Sequence, residues 1–166
     1  RPATPDLAAR TVRGVFPESL ATRLRDFCRR EKATPNAVLL AAWQSLLHRL
    51  TGNRDIIVGT PIAGQPASGR TAIVAHQVHF LPLRAAIDPD LTATALVQRT
   101  RGLLADATDH QEYTLGQLYQ ALALPRVPGR PSFVTTTFTF ESAPGIEDWG
   151  DGLQASLEPN PKRRLA

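Results

Sequence analysis

The sequence is poor in several residue types that mark particular classes of protein. Its 166 residues include one cysteine, Cys28, and no methionine. A single cysteine excludes an internal disulfide framework and is consistent with a reducing, cytoplasmic location. No apolar run approaches the roughly 20 residues that a membrane-spanning helix needs, and we find no signal peptide. Because even an initial methionine is missing, we expect a segment of a longer protein.

Lysine is also scarce, since only Lys32 and Lys162 are lysines among 19 basic residues. The 15 acidic residues leave a net charge of +4. Scattered arginines are typical of a solvated surface, and they would also suit an acidic partner. Nucleic-acid binding is not favoured, because the aromatic residues lie at core spacing rather than between arginines. A hydrophobic content of 42% is enough for one domain with a core.

Motifs that complete a catalytic or metal site are missing from the sequence. It has neither a glycine-rich phosphate loop with its lysine nor a Gly-x-Ser-x-Gly elbow. His76 and His79 suggest a metal pair, but residues three apart on a strand point to opposite faces, so no metal is predicted. His48 is predicted to cap a helix end or to complement its dipole. Cys28 lies on an apolar stripe and is predicted to be a core residue rather than a reactive thiol.

A helix followed by a strand organises the predicted fold. Thr34 is a good N-cap, a proline follows it, and Gly52 suits a left-handed helix end, so the pattern predicts a helix over residues 35–51. Apolar side chains lie nearly all the way round this helix, which predicts burial on several sides. A β-branched run then predicts a short strand over residues 56–58 that ends at the following Gly-Thr-Pro.

The other elements follow from periodicity and from turn residues. Strands are predicted over residues 11–16, 74–84, 133–140 and 153–157, helices over residues 18–30, 92–109 and 114–122, and loops over residues 63–70, 124–131 and 143–152. Pro82 favours an edge or a bulge in the second of these strands. The spacing of Thr114 and Gln117 indicates a capping box. The resulting order, β-α-α-β-β-α-α-β-β, predicts a mixed-sheet α/β sandwich with helices packed on a sheet.

Four segments, in order along the chain, resemble the motifs of one family. They are Asp55-Ile-Ile-Val-Gly-Thr-Pro-Ile-Ala-Gly64, Val78-His-Phe-Leu-Pro-Leu-Arg84, His110-Gln-Glu-Tyr113 and the run from Arg126 to Phe133. The second is similar to a Val-Asn-Thr-Leu-Pro-Leu-Arg pattern, the third to a His-Gln-Asp-Tyr box, and the fourth to a worn Arg-Asp-x-Ser-Arg-Asn-Pro-Leu box. The chain therefore resembles the C-terminal lobe of a condensation domain from a nonribosomal peptide synthetase, with a chloramphenicol-acetyltransferase-like fold.

This resemblance implies an acyl or peptidyl transferase in nonribosomal peptide or hybrid peptide-polyketide biosynthesis. The domain would join a donor acyl or aminoacyl thioester to an acceptor amine, or hydroxyl, in a tunnel between two lobes. The family's His-His-x-x-x-Asp-Gly motif lies in the N-terminal lobe, where its second histidine promotes the attack. That motif is missing here, so we predict no catalytic residue and expect this fragment to be inactive alone. Residues 1–10 would be a linker or inter-lobe crossover, and residues 11–166 a partial lobe, incomplete at its C-terminus.

The resemblance also implies partners and sites. Donor and acceptor carrier proteins would be the partners, together with the N-terminal lobe; no cofactor would bind directly except the carriers' phosphopantetheine arms. Tyr113 is expected to pack, and His110 and Gln111 to satisfy buried backbone groups. The implied residues are, for the substrate tunnel, His79, Phe80, Gly59, Thr60, Thr137 and Thr139; for carrier docking, Arg126 and Arg130; and for the structural motifs, His110, Gln111, Tyr113 and Arg84.

The sequence departs from the family pattern in the segment before Arg84. His79 and Phe80 replace the asparagine and threonine of Val-Asn-Thr, and Ala75-His76-Gln77 replaces Gly-Phe-Phe. One interpretation is drift within a subfamily. Another is that His79 supplies a hydrogen bond or a steric limit for an unusual donor or acceptor. Two alternative functions stay open: a non-catalytic carrier-binding module, and an epimerisation or heterocyclisation relative.

Overall fold

The computed structural model describes residues 10–63, 78–123, 133–141, 147–148 and 150–155. The chain divides into two compact units, one formed by Pro17–Thr139 and the other by Arg1–Phe16 with Phe140–Ala166. The described elements of the first unit are α1 (Glu18–Arg30), α2 (Pro35–Thr51), β1 (Asp55–Ala63), β2 (Val78–Ala86), α3 (Ala93–Asp109) and α4 (Leu115–Leu122). The second unit contains an antiparallel pair, β3 (Glu147–Asp148) and β4 (Gln154–Ala155). Helices and antiparallel strands together give the mixed α/β fold that the sequence predicts.

Helices α2, α3 and α4 begin at their capping threonines, and α2 ends at its predicted glycine. The Thr34 side chain accepts a hydrogen bond from the Ala37 amide at 3.2 Å, and Gly52 ends α2 with a left-handed φ of 71°. Thr92 caps α3 in the same way, which places the helix start one residue after the predicted one. Thr114 and Gln117 form the predicted capping box at the start of α4.

Burial of α2 is less complete than its composition predicts. One face is buried, with Leu40 fully inaccessible, because it packs against β1 and α3. The opposite side is open: Leu46 is 44% exposed and Leu50 is 73% exposed. The helix contacts α1, α3 and β1, so the predicted burial on several sides is confirmed in part, and the side that carries Leu46 and Leu50 is exposed.

Strands β1 and β2 form a regular antiparallel pair of nine residues each, from Asp55 opposite Ala86 to Ala63 opposite Val78. The prediction that β1 ends at Gly59-Thr60-Pro61 is wrong. The Gly59 amide donates to the Thr136 carbonyl at 3.0 Å, and the Gly59 carbonyl accepts from the Phe138 amide at 2.9 Å. Both backbone groups of Gly59 thus point away from β2. Opposed residues alternate between bonded and non-bonded pairs, so Pro61 also lies at a non-bonded position and removes no hydrogen bond to β2.

Pro82 lies directly opposite Gly59 and occupies the same kind of position. Its ring nitrogen therefore points away from β1, where the missing N–H group costs no hydrogen bond within the pair. The register runs through Pro82 without a bulge. Among the described residues β2 pairs only with β1, which agrees with the predicted edge position and not with the predicted bulge.

The pleat of this pair separates two faces. The helix face carries Ile56 and Val58 of β1 and Leu83 of β2, which form one buried cluster with Leu40 of α2 and Ile87. Side chains of the intervening residues point to the other side, which we call the outer face. Cys28 is buried on α1, as predicted.

Three predicted strands differ from the observed structure. The segment over residues 11–16 forms no strand, and Val12 and Val15 are 94% and 95% exposed. The segment over residues 133–140 makes a single parallel bridge, between Thr137 and Gly59. In both cases the residues have strand propensity but lack a continuous partner among the described residues. Of the strand predicted over residues 153–157, the described part is β4, and β3 falls inside a predicted loop.

Candidate functional site

Phe80, Thr137 and Val134 lie around Gly59, on or beside the outer face. Phe80, from β2, lies diagonally across from Gly59, and Thr137 pairs with it from the other side. Gly59 is buried. A Cβ atom at Gly59 would lie 2.3 Å from Cε1 and Cζ of Phe80 and 2.7 Å from Cγ1 of Val134. These two side chains therefore cover the glycine.

Thr60 and His79 lie on the helix face instead. Each is next to an outer-face residue along its strand, and successive side chains of a strand point to opposite faces. The Thr60 hydroxyl donates to the Phe138 carbonyl at 2.9 Å and is buried. His79 lies opposite Ile62 and is half-buried. The six residues proposed for one tunnel are thus divided: Gly59, Phe80 and Thr137 are together, whereas His79 and Phe80 point to opposite sides of β2.

Thr137 and Thr139 alternate with half-buried neighbours, as the predicted two-faced pattern requires. Both threonines are exposed, whereas Thr136 and Phe138 are half-buried, and Phe138 packs against the buried cluster. The alternation of residues 134–139 is therefore confirmed, even though the segment is not a continuous strand.

Arg84 forms a two-pronged ion pair with Asp55. Nε of Arg84 donates to Oδ1 and Nη2 donates to Oδ2, both at 2.9 Å. The hydrogen bond from Arg84 lowers the pKa of the Asp55 carboxyl, and the opposite charge of the guanidinium adds to this effect. The pair ties the first residue of β1 to β2 at the edge of the outer face, which is a structural role.

The comparisons with known proteins bear on this geometry. The family model described as "Condensation domain" matches residues 1–160. The chain belongs to the condensation-domain family. Tyrocidine synthase 2 of Brevibacillus parabrevis is 33% identical over 142 residues, which are 86% of this chain and 4% of that protein. Surfactin synthase subunit 1 of Bacillus subtilis (strain 168) is 36% identical over 139 residues, 83% of this chain and 4% of that protein.

Solved structures agree with this membership. The first condensation domain of the CDA synthetase has a TM-score of 0.69 at 23% identity, over 90% of this chain and 35% of that one. SgcC5 from Streptomyces globisporus, solved with (R)-(-)-1-(2-naphthyl)-1,2-ethanediol and sucrose, has a TM-score of 0.63 at 28% identity, over 81% and 31%. This condensation-domain chain spans 4% of each of these two synthetases and about a third of each of these two solved chains.

The His-Gln-x-Tyr box of this condensation-domain chain lies between α3 and α4. His110 caps α3 and is exposed, and Tyr113 is 50% exposed, so its predicted packing role is at most partial. Oε1 of Gln111 is buried without a hydrogen-bond partner among the described residues. The prediction that the His110 and Gln111 side chains satisfy buried backbone groups is therefore not met in this part of the chain.

His48 has the role predicted for it. Nδ1 of its ring lies 2.6 Å from the carbonyl oxygen of Asn53, just beyond the C-terminus of α2. The imidazole therefore satisfies a carbonyl in the connection to β1. The contact stabilises the path from the helix into the strand that carries Gly59.

Sequence reasoning missed two features of this condensation-domain chain. One is the cover of Gly59 by Val134, which no spacing rule predicts because 75 residues separate them. The other is a buried polar pair between α2 and α3: Oγ1 of Thr100 lies 3.1 Å from Oε1 of Gln44, and both residues are almost fully buried. A polar residue, Gln44, in the middle of a largely apolar helix was the available signal for the second.

Some predicted sites lie outside the described residues. These are His76, Arg126 and Arg130. Among the described residues no cluster of histidine, cysteine or acidic side chains could hold a metal ion. No helix in that part of the chain is long and apolar enough to cross a membrane.

A groove of about 480 Å³ lies between α1, α2 and the start of α3, on the helix side rather than the outer face. Its walls include Phe27, Ala41, Leu46 and Leu96, and it contains none of the predicted tunnel residues. The groove and the predicted site are therefore separate features of the same unit.

Proposed function

We propose that this chain is part of a condensation domain that joins a carrier-bound acyl or aminoacyl thioester to an acceptor amine. The match of the condensation-domain model to residues 1–160 is the observation that carries this proposal. In the reaction the acceptor nitrogen attacks the thioester carbonyl, a C–N bond forms and the C–S bond breaks. The nitrogen loses a proton, and the released phosphopantetheine thiol gains one.

The outer face supports a substrate-lining role for this chain. It gathers Gly59, Phe80 and Thr137. We propose that this chain is the C-terminal lobe of the domain and that the outer face points toward the substrate path, with Thr139 beside Thr137; His79 and Thr60, on the helix face, would not line that path. The catalytic histidine would come from an N-terminal lobe, because the chain lacks the family's His-His-x-x-x-Asp-Gly motif.

The test uses the intact parent protein and two purified carrier proteins, one loaded with a donor and one with an acceptor amino acid. We expect a dipeptide on the acceptor carrier, measured by intact-protein mass spectrometry. The control replaces the second histidine of the N-terminal motif with alanine, which should abolish the product. If the wild-type parent gives no dipeptide with any loaded pair, the condensation proposal is wrong.

A second candidate is a non-catalytic carrier-binding module. The departures at His79 and Phe80, in the segment implied to line the tunnel, favour it. The same assay separates the candidates. Carrier binding without any product supports this module, whereas an inverted donor or a cyclised, dehydrated product supports the epimerisation or heterocyclisation alternative.

The basic surface suits acidic carrier proteins and their phosphopantetheine phosphates. We propose that Arg126 and Arg130 contribute to this docking. Reversing both charges with Arg126→Glu and Arg130→Glu should weaken carrier affinity and flatten its salt dependence, as measured by calorimetry at two ionic strengths. Arg23→Glu with Arg49→Glu is the charge-matched control on exposed helix positions. Unchanged carrier affinity at low salt would remove Arg126 and Arg130 from consideration as docking residues.

A further inference from the structure

Gly59 lies on the outer face, in close contact with the side chains that cover it. It has no side chain, yet it is buried, because the Phe80 ring and a Val134 methyl group occupy the space that a side chain would fill. Its backbone groups are already bonded to Thr136 and Phe138. The glycine therefore presents no free hydrogen-bonding group, and its contribution to the face is that it lets an aromatic ring lie directly on the backbone.

Phe80 is held in this position from two directions. It comes from β2, where it lies opposite Pro61 and diagonally across from Gly59. The same space is approached from the other side by Val134, on the segment that pairs with Gly59 through Thr137. Since Phe80 is only half-buried, one side of the ring lies on the glycine and part of it is accessible from the outer face.

We propose that Phe80 is a steric specificity residue, which excludes thioester-borne groups with side chains as large as a phenyl group from the space above Gly59. This inference rests on the proposed function, since it requires the outer face to line the substrate path. The physical basis is exclusion rather than attraction. A substrate group cannot share the volume of a ring that is packed on the sheet backbone, and it can enter only if that ring is absent or displaced.

The chain offers two variants that remove the ring. Phe80→Thr places in this chain the residue of the family pattern, and Phe80→Ala removes nearly the whole side chain. Either change would open a cleft whose floor is Gly59 and whose far wall is Val134. Phe80→Tyr keeps the ring and should keep the exclusion.

The experiment measures product formation by the intact parent with alanyl and phenylalanyl groups on the carriers. One series varies the donor thioester and keeps the acceptor fixed, and the other varies the acceptor. We expect Phe80→Thr and Phe80→Ala to raise the ratio of phenylalanyl to alanyl product at least about tenfold in one of the two series. The series that responds identifies whether the space belongs to the donor or the acceptor.

Phe27→Ala, on α1 and away from the outer face, is the matched control and should leave both ratios unchanged. An active parent whose ratios are the same in wild type, Phe80→Thr and Phe80→Ala would overturn this inference and leave the proposed function standing. Loss of all product in both ring-deleting variants would give Phe80 a packing role and would also overturn it. A wild-type parent without any product overturns the inference and the proposed function together.

Discussion

The two faces of the β1–β2 pair differ in what covers them, although they are built from alternate residues of the same two strands. On the helix face, Val58 and Leu83 are fully buried against the chain's own helices. On the outer face, Gly59 is covered by Phe80 and Val134, and Arg84 reaches the sheet edge to pair with Asp55. The first face is closed by packing that the chain supplies itself. The second contains Phe80, which departs from the family pattern, whereas the other described departure, His79, lies on the helix face.

This difference shows where substitutions should affect stability and where they should affect selectivity. Helix-face side chains interlock with Leu40 and its neighbours, so changes there act on folding. On the outer face the Phe80 ring is half-buried and lies over Gly59, so removing the ring should act mainly on what can approach the sheet, whereas a side chain added at Gly59 would clash with it.

We expect the largest change in stability from a substitution on the helix face. Leu83→Ala removes a fully buried side chain and leaves a cavity beside Val58, which should cost about 2–5 kcal/mol in the free energy of unfolding. Denaturant unfolding of the intact condensation domain would measure it. Val78→Ala, at the 50% exposed start of the same strand, is the control and should change that free energy by no more than about 0.5 kcal/mol. Equal costs for the two would contradict the distinction between the faces.

The next effect tests the close contact on the outer face. Gly59→Ala places a methyl group 2.3 Å from the Phe80 ring, which must move, so we expect a loss of about 1–3 kcal/mol. Combining it with Phe80→Ala should recover part of this loss, since only the Val134 contact remains. A double-mutant cycle on the intact domain measures the coupling.

The matched control for Gly59→Ala is Gly102→Ala in the interior of α3. A Cβ atom there meets nothing within 4 Å, so alanine should stabilise the helix by roughly 0.5–1 kcal/mol. Opposite signs at the two glycines are the expected result. A neutral Gly59→Ala would mean that Phe80 does not rest on the backbone at this point.

The smallest effect concerns the edge of the outer face. Asp55 has a lowered pKa because Arg84 binds its ionised form. The ion pair therefore stabilises the folded state above the pKa that Asp55 has in the unfolded chain, about 3.9. It is lost as the pH falls through the lower folded pKa. Asp55→Asn should lower the thermal midpoint slightly at pH 7 and leave it unchanged at the most acidic pH at which the domain is folded. High salt should shrink the difference, because both groups are exposed.

The sequence predicts well those elements whose ends have local chemical causes. Thr34 and Gly52 bracket α2, and Thr114 with Gln117 opens α4, because caps act on neighbouring amides. Strands were harder to predict, since a strand exists only with its partner. Residues 133–140 have clear alternation but meet β1 at one residue, and Pro61 does not end β1 because its nitrogen points away from β2.

The candidate site shows the same limit. The resemblance assigned Gly59, Phe80, Thr137 and His79 to one tunnel. The structure brings the first three together, whereas the period of two along β2 puts His79 on the other face. The Val134 contact depends on the path of a distant segment. Local pattern gives residue identities and faces, whereas the packing of separate segments decides which of them meet.

Pro82 affects how readily another chain can pair with the open edge of this sheet. Strand β2 is an edge among the described residues, and an open edge invites pairing with other chains. Because the Pro82 nitrogen points to that open side, a further strand added there would meet a gap in the row of donors at its centre. The residue that costs no hydrogen bond toward β1 thus hinders pairing with other chains at the opposite side of β2.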